Sequence, residues 1–302
     1  MSERVARFCV CVSQTLTKML GTFAAHVTLF HCLSLYQPVL KQRNCIMSYH
    51  TLFFVENRFM EKFSDIRTRN ELADFLQIPR SKLASLLYVV GTQNCYTTFT
   101  IPKKSGGERM IASPCEELKS VQKRLAAALW EHLKSIRAER RIQPNISHAF
   151  EEKRGIITNA VIHRNKRFVL NLDLENFFSS FHFGRVQGYF EKNRDFLLNK
   201  EVATTIAQIA CYNGCLPQGA PTSPIITNLI CQILDMRLLK IAKQFRLDYT
   251  RYADDLTFST NDHAFLEKYE EFCEEAMLEL QKSGFTINQK KSVCSSGILG
   301  RK

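Results

Sequence analysis

Apolar and polar positions along the chain follow helical, alternating or continuous patterns, and each predicts a different element. Over 70–88, Leu72, Phe75 and Leu76 form one apolar face and Leu83, Leu86 and Leu87 the next, which predicts two short helices. Ile78-Pro79 separates them, because proline lacks the N–H that a continuing helix needs. Two readings fit the pair: a helical hairpin packed into a larger domain, or a helix-turn-helix whose second helix reads DNA. Leu118, Val121, Leu125, Leu129, His132, Leu133 and Ile136 recur at helical spacing and predict an amphipathic helix over 116–136. Ile225 to Leu239 is an apolar helical stretch. Thr97 to Ile101 alternate toward a strand, Lys103-Lys104-Ser105-Gly106-Gly107 makes a basic turn, and Arg109-Met110-Ile111 follows it. Phe168 to Leu174 is a short apolar strand carrying one acid, Asp173, near its C-terminal end. In 248–259 two β-prone runs flank Ala253-Asp254-Asp255, the pattern of a hairpin with adjacent acids at its tip.

The N-terminal region behaves differently. From Met19 to Leu40 no Lys, Arg, Asp or Glu occurs, a length that suits a membrane span or signal sequence. His26, His31, Gln37 and Pro38 make it weakly apolar for a span, and no clear cleavage site follows. Three readings stand: a helical extension, a membrane anchor, or codons upstream of a true start at Met47 or Met60.

Charge narrows the class of partner. The 302 residues hold 41 Lys+Arg against 29 Asp+Glu, a net +12, which suits a polyanion such as nucleic acid or an anionic membrane. The basic turn and the polar face of the 116–136 helix, with Lys119, Lys123 and Arg124, move the balance toward a phosphate-facing surface. A solvated helix surface explains those three charges taken alone. The 11 cysteines are odd in number and scattered, and neither Cys9-x-Cys11 nor Cys211-x3-Cys215 has partners at zinc spacing. Reduced, mostly buried thiols follow, and with them a reducing compartment, the cytoplasm. No Walker phosphate loop, Gly-x-Ser-x-Gly or His-Glu-x-x-His occurs, so ATPase, esterase and zinc-protease readings lack a motif.

The acids carry the chemistry. A carboxylate among apolar neighbours, as at Asp173, is costly unless a cation or hydrogen-bond donors compensate it. Adjacent carboxylates repel, and solvent or a metal resolves the conflict. If the hairpin lies beside the Asp173 strand, Asp173 and Asp254 converge. Oxygen ligands of this kind suit Mg²⁺, which takes one or two carboxylates plus substrate phosphates. An ordinary polar turn is the plain alternative for Asp-Asp.

Together these segments resemble the reverse transcriptase family, and within it the bacterial retron enzymes. Asn171-Leu-Asp173-Leu-Glu-Asn-Phe-Phe178 is similar to the first palm motif, Leu216-Pro-Gln-Gly-Ala-Pro-Thr-Ser-Pro224 to the second and Tyr252-Ala-Asp254-Asp255 to the third. Gly284-Phe-Thr-Ile-Asn-Gln-Lys-Lys291 resembles the fourth, Lys103 to Arg109 the fingers turn, and Asn159-Ala-Val-Ile-His163 the retron Asn-Ala-x-x-His element. The resemblance covers roughly 60–302.

It implies an α+β fold: right-hand polymerase fingers and palm, with an antiparallel palm sheet backed by helices. The thumb is expected to be absent or truncated, because the chain stops at Gly300-Arg301-Lys302, where the family's Val-Thr-Gly element should begin. The expected division is an extension over 1–50, fingers over 51–165, and palm over 166–302 with a fingers insertion at 185–215. The resemblance makes Asp173 and Asp254 the principal ligands of two Mg²⁺ ions, assisted by Asp255. Phe178 would exclude a ribose 2′-hydroxyl, and Gln218 would lie along the incoming nucleotide. Lys104 and Arg109 would neutralise the triphosphate, and Lys291 would protonate the leaving pyrophosphate. Asn159 and His163 would contact RNA. The implied partners are a structured template–primer RNA, an RNA–DNA duplex, dNTPs and an effector protein, with no stable membrane association. The implied activity is RNA-directed DNA polymerisation on a cognate structured RNA, within an anti-phage defence system. The alternatives are a catalytically impaired RNA-binding remnant and a group II intron-like reverse transcriptase.

Overall fold

The computed structural model describes residues 63–103, 106–142 and 146–288, and the backbone of 293–296. The chain divides between Met60 and Glu61, and every described residue lies on the C-terminal side. The N-terminal extension, Lys104 and Lys291 lie outside the described residues.

The helix pair forms as its apolar spacing predicts. Helix α1 spans Arg69–Phe75, with Thr68 Oγ1 accepting from the Glu71 N–H at its start. After the proline comes α2, Arg80–Ala84, which runs into a π-helical turn over Ser85–Val90. Leu72 and Leu83 are fully buried, and with Leu86 and Leu87 they join the main core, as the packed-hairpin reading requires. Arg124 reaches back to this pair and donates to the carbonyls of Leu76 and Gln77 at 3.2 and 3.0 Å. It therefore caps α1 and is not part of an open phosphate stripe, and Lys119 pairs with Glu116.

Strands β1, Tyr96–Pro102, and β2, Glu108–Pro114, form an antiparallel hairpin whose outer half is exposed on both faces. Helix α3, Glu116–Glu139, follows and extends one turn beyond the predicted end. Leu118, Leu125 and Leu129 along its apolar stripe are fully buried. Helix α4, Ile156–His163, precedes the second sheet.

That sheet is antiparallel, in the order β4-β5-β3-β6. Its strands are β3, Phe168–Asp173, β4, Asp248–Tyr252, β5, Asp255–Thr260, and β6, Val293–Ser296. Phe168, Leu170 and Leu172 alternate inward along β3, as period-2 patterning demands. Helices α5, Phe183–Lys192, and α6, Lys200–Ala210, lie between the strands in sequence. Helix α7, Ser223–Gln244, and α8, Tyr269–Lys282, back the sheet. Phe258 of β5 sits between Tyr249, stacked at 4.6 Å, and Phe272 of α8, edge-on at 5.0 Å. The fold is thus α+β, an antiparallel palm-type sheet with helices behind it, as the sequence implies.

Cys95, Cys115, Cys211, Cys215, Cys231 and Cys273 are free thiols. Among the described residues no helix is long and apolar enough to cross a membrane.

Candidate active site

The β3–β5 register sets Asp173 directly opposite Asp255. One step further, the Leu174 N–H donates to the Asp254 carbonyl at 3.0 Å, so three acids gather at one end of two adjacent strands. Asp173 is 9% exposed, Asp254 is half-buried and Asp255 is open to solvent. On the other side of β3 the Asn288 N–H donates to the Asp173 carbonyl at 2.8 Å, fixing the backbone beneath the first acid. Among the described residues no group of three or more His, Cys, Asp or Glu is arranged to hold a metal ion by itself. Carboxylates of this kind would need water and substrate phosphates to complete a Mg²⁺ shell, which is how that reluctantly dehydrated ion is commonly held.

The turn between β4 and β5 consists of Ala253 and Asp254. Ala253 has φ of 57°, a left-handed conformation that costs a residue with a Cβ about 1–2 kcal/mol. The surroundings compensate. Arg251, fully buried, donates from Nε and Nη2 to the two oxygens of Asp235 on α7, both at 2.8 Å. Its Nη1 donates to the Ala253 carbonyl at 3.3 Å and to Asn228 Oδ1 at 3.3 Å. The Tyr249 hydroxyl adds a third hydrogen bond to Asp235 at 2.9 Å, and burial beside that carboxylate pushes the phenol well above its usual range. Burial alone would lower the Arg251 pKa, but Asp235 outweighs it and the guanidinium is held charged. Sequence reasoning missed this network. A partial signal was present: Asn228 and Asp235 stand seven apart, on one face of the Ile225–Leu239 stretch, and Tyr249 and Arg251 alternate onto one face of β4.

The Gln218 loop is seated on the first hairpin. The Ala112 N–H of β2 donates to the Gln218 carbonyl at 2.8 Å, and Ser223 Oγ donates to the Pro217 carbonyl at 2.7 Å. Gly219, at φ of 120°, permits this approach, since a Cβ there would stand 2.6 Å from the Ala112 oxygen. Arg109 lies exposed on the same strand β2. Phe177 and Phe178 divide as two adjacent rings can. Phe177 is buried against Phe181 and Phe285, while Phe178 is only partly buried and meets Phe177 edge-on at 5.4 Å.

His163 turns inward. Its Nδ1 pairs with Ser259 Oγ and its Nε2 with Thr250 Oγ1, both at 2.7 Å, inside the fold. Asn159, one turn earlier, is half-buried, and its Oδ1 has no hydrogen-bond partner among the described residues. Burial depresses the His163 pKa to about 4, with His148 and Lys166 adding to the effect and Asp248 opposing it. An unfolded histidine takes up its proton near pH 6.5, so the unfolded chain binds more protons between there and 4. Stability contributed by the neutral ring is therefore complete above about 6.5 and lost as pH falls toward about 4. Urea midpoints measured across that window should fall by the equivalent of roughly 1–3 kcal/mol, and His163→Gln should flatten the slope.

The site's order along the chain matches a known family. Residues 101–298 match the family described as reverse transcriptase (RNA-dependent DNA polymerase). The chain belongs to the reverse transcriptase family. It is 34% identical over 244 residues to the retron Ec86 reverse transcriptase of Escherichia coli, an alignment covering 80% of this chain and 72% of that one. It is 35% identical over 215 residues to the retron Mx65 reverse transcriptase of Myxococcus xanthus, covering 65% of this chain and 47% of that one. The chain thus spans about half the length of the Myxococcus relative. Among solved structures, apo telomerase from Candida tropicalis aligns at 15% identity with a TM-score of 0.48, over 70% of this chain and 45% of that one. Reverse transcriptases as a family are RNA-directed DNA polymerases, a class of nucleotidyltransferase, and this chain resembles their retron members.

Proposed function

We propose that this reverse transcriptase copies a cognate structured RNA into DNA, as a retron-type RNA-directed DNA polymerase. The observation that carries the reading is the register pairing of Asp173 with Asp255, with Asp254 at the adjoining turn. In the reaction, a primer hydroxyl oxygen attacks the α-phosphorus of a dNTP. A new phosphodiester P–O bond forms, the bond to the β-phosphate breaks, pyrophosphate leaves with the electron pair, and the hydroxyl proton passes to solvent.

Asp173 and Asp254 would hold two Mg²⁺ ions, with Asp255 orienting them. Bound there, the ions would lower the hydroxyl pKa and offset charge on the transferring and leaving phosphates. The chain's own residues do the rest. The braced turn holds two carboxylates in fixed relation to the end of β3, so little reorganisation is needed when charge develops. Arg109 supplies a planar, permanently charged donor set for triphosphate oxygens, and Lys104 and Lys291 are the further cations proposed for the phosphates. The loop around Gln218, anchored on β2, would border the incoming nucleotide. Asn159 would belong to the RNA-recognising region. The defence role, the effector partner and a cytoplasmic location are part of the same proposal and rest on the retron resemblance.

The direct test is Mg²⁺-dependent incorporation of labelled dNTP on a structured RNA by the 302-residue chain. Incorporation that needs both RNA and Mg²⁺ is the expected result, and its absence on every template tried would overturn the reading. A second expectation concerns sugar choice. Phe178→Ala should raise rNTP use relative to dNTP by about tenfold or more, since a ring that clashes with the 2′-hydroxyl discriminates by 1–3 kcal/mol. Competition between the two nucleotides measures it.

A further inference from the structure

The structure assigns His163 to positioning the catalytic hairpin, a role that rests on the polymerase reading above. Helix α4 lies across the β4–β5 hairpin, and its last residue sends both ring nitrogens into it. Thr250 belongs to β4 and Ser259 to β5, and they are not direct partners: Thr250 pairs with Thr257, and Ser259 with Asp248. The imidazole therefore bridges the two strands on a diagonal. A diagonal brace adds to the ladder's own resistance to the sliding of one strand along the other. That motion matters here, because a shift of one residue would turn every side chain of the hairpin to the opposite face.

Two further ties hold the same helix to the same hairpin. Lys166, just past α4, forms an ion pair with Asp248 at the start of β4. Thr158 of α4 pairs with His148 Nδ1 at 2.8 Å, and the His148 N–H donates to the Arg251 carbonyl at 2.9 Å. The ring between Thr250 and Ser259 is neutral, donating from one nitrogen and accepting at the other, and both hydroxyls can reciprocate. At 2.7 Å each and buried, neither contact is open to replacement by water. His163 touches no reacting atom; it fixes where Asp254 and Asp255 stand relative to Asp173.

Hydrogen exchange on the full chain, read at 250–259, tests the assignment without requiring activity. His163→Ala should speed exchange of the hairpin amides by about tenfold, with α3 and α7 unchanged. His163→Gln, whose amide offers one donor and one acceptor at similar spacing, should bring it back to within about twofold of wild type. If the alanine variant fails to fold, Thr250→Val removes one of the two contacts and carries the same expectation. Primer extension supplies the second arm: kcat falls about tenfold in His163→Ala while KM for dNTP and RNA affinity stay within about twofold. Unchanged hairpin exchange, a glutamine variant no better than alanine, or a loss confined to RNA affinity would each overturn the role. An inactive wild type would defeat the polymerase reading instead, and the exchange result would still decide the brace.

Discussion

Asp254→Asn is expected to cut Mg²⁺-dependent dNTP incorporation by about a thousandfold while leaving the melting temperature near that of wild type. The amide nearly matches the carboxylate in shape, so the two-residue turn and its hydrogen bond to Leu174 can persist. What it removes is a full negative charge next to the place where a divalent ion and a triphosphate would meet. Metal-assisted stabilisation of developing charge is worth several kcal/mol, and each 1.4 kcal/mol is a factor of ten in rate. Asp173→Asn should behave alike, since its strand pairs directly with the hairpin. Primer extension across a Mg²⁺ series, beside circular dichroism of both variants, checks the claim. Near-wild-type incorporation by Asp254→Asn would refute the assignment of the metal site.

Arg251→Met should instead cost stability, about 3–5 kcal/mol, or about 10 °C in melting temperature. The substitution leaves the Asp235 carboxylate buried with Tyr249 as its remaining partner in the network, and an uncompensated buried charge is far more expensive than the ion pair is worth. The triple variant Arg251→Met, Asp235→Leu, Tyr249→Phe should regain most of that loss, because a well-packed apolar replacement of a buried pair is often neutral. Incorporation should remain low in the triple variant. It no longer donates to the Ala253 carbonyl, and the left-handed turn loses one of the contacts that hold it in place. Thermal melts paired with primer extension separate the two effects. Recovery of activity together with stability would show that the network serves the fold alone.

Local pattern made much of this protein legible. The period of Leu118 to Ile136 and the alternation about Ala253-Asp254-Asp255 are short-range signals, and the helix and hairpin they predict are present. The proline break between α1 and α2 is equally local. Tertiary partners were harder to read. Arg124 looked like a surface cation because helical spacing places it on the polar face, yet it caps a helix 47 and 48 residues earlier in the chain. The partners of His163 are not legible from its short motif, which carries no direction; only the register of two later strands places hydroxyls at both of its nitrogens. The Arg251–Asp235 pair was hidden for the same reason, since burial of a charge is a property of the assembled core.

The two backbone hydrogen bonds between Arg251 and the 146–148 segment bear on self-association. Among the described residues β4 has no strand neighbour other than β5, so an outer row of amides and carbonyls would otherwise stand open there. The Arg251 N–H donates to the Ile146 carbonyl and the His148 N–H to the Arg251 carbonyl, both at 2.9 Å, which occupies that row at its centre. A strand edge closed by the chain's own loop offers no template for another copy to extend, and such extension is the usual route from sheet to aggregate. The segment that steadies the acidic turn thus also acts as a guard against intermolecular strand addition.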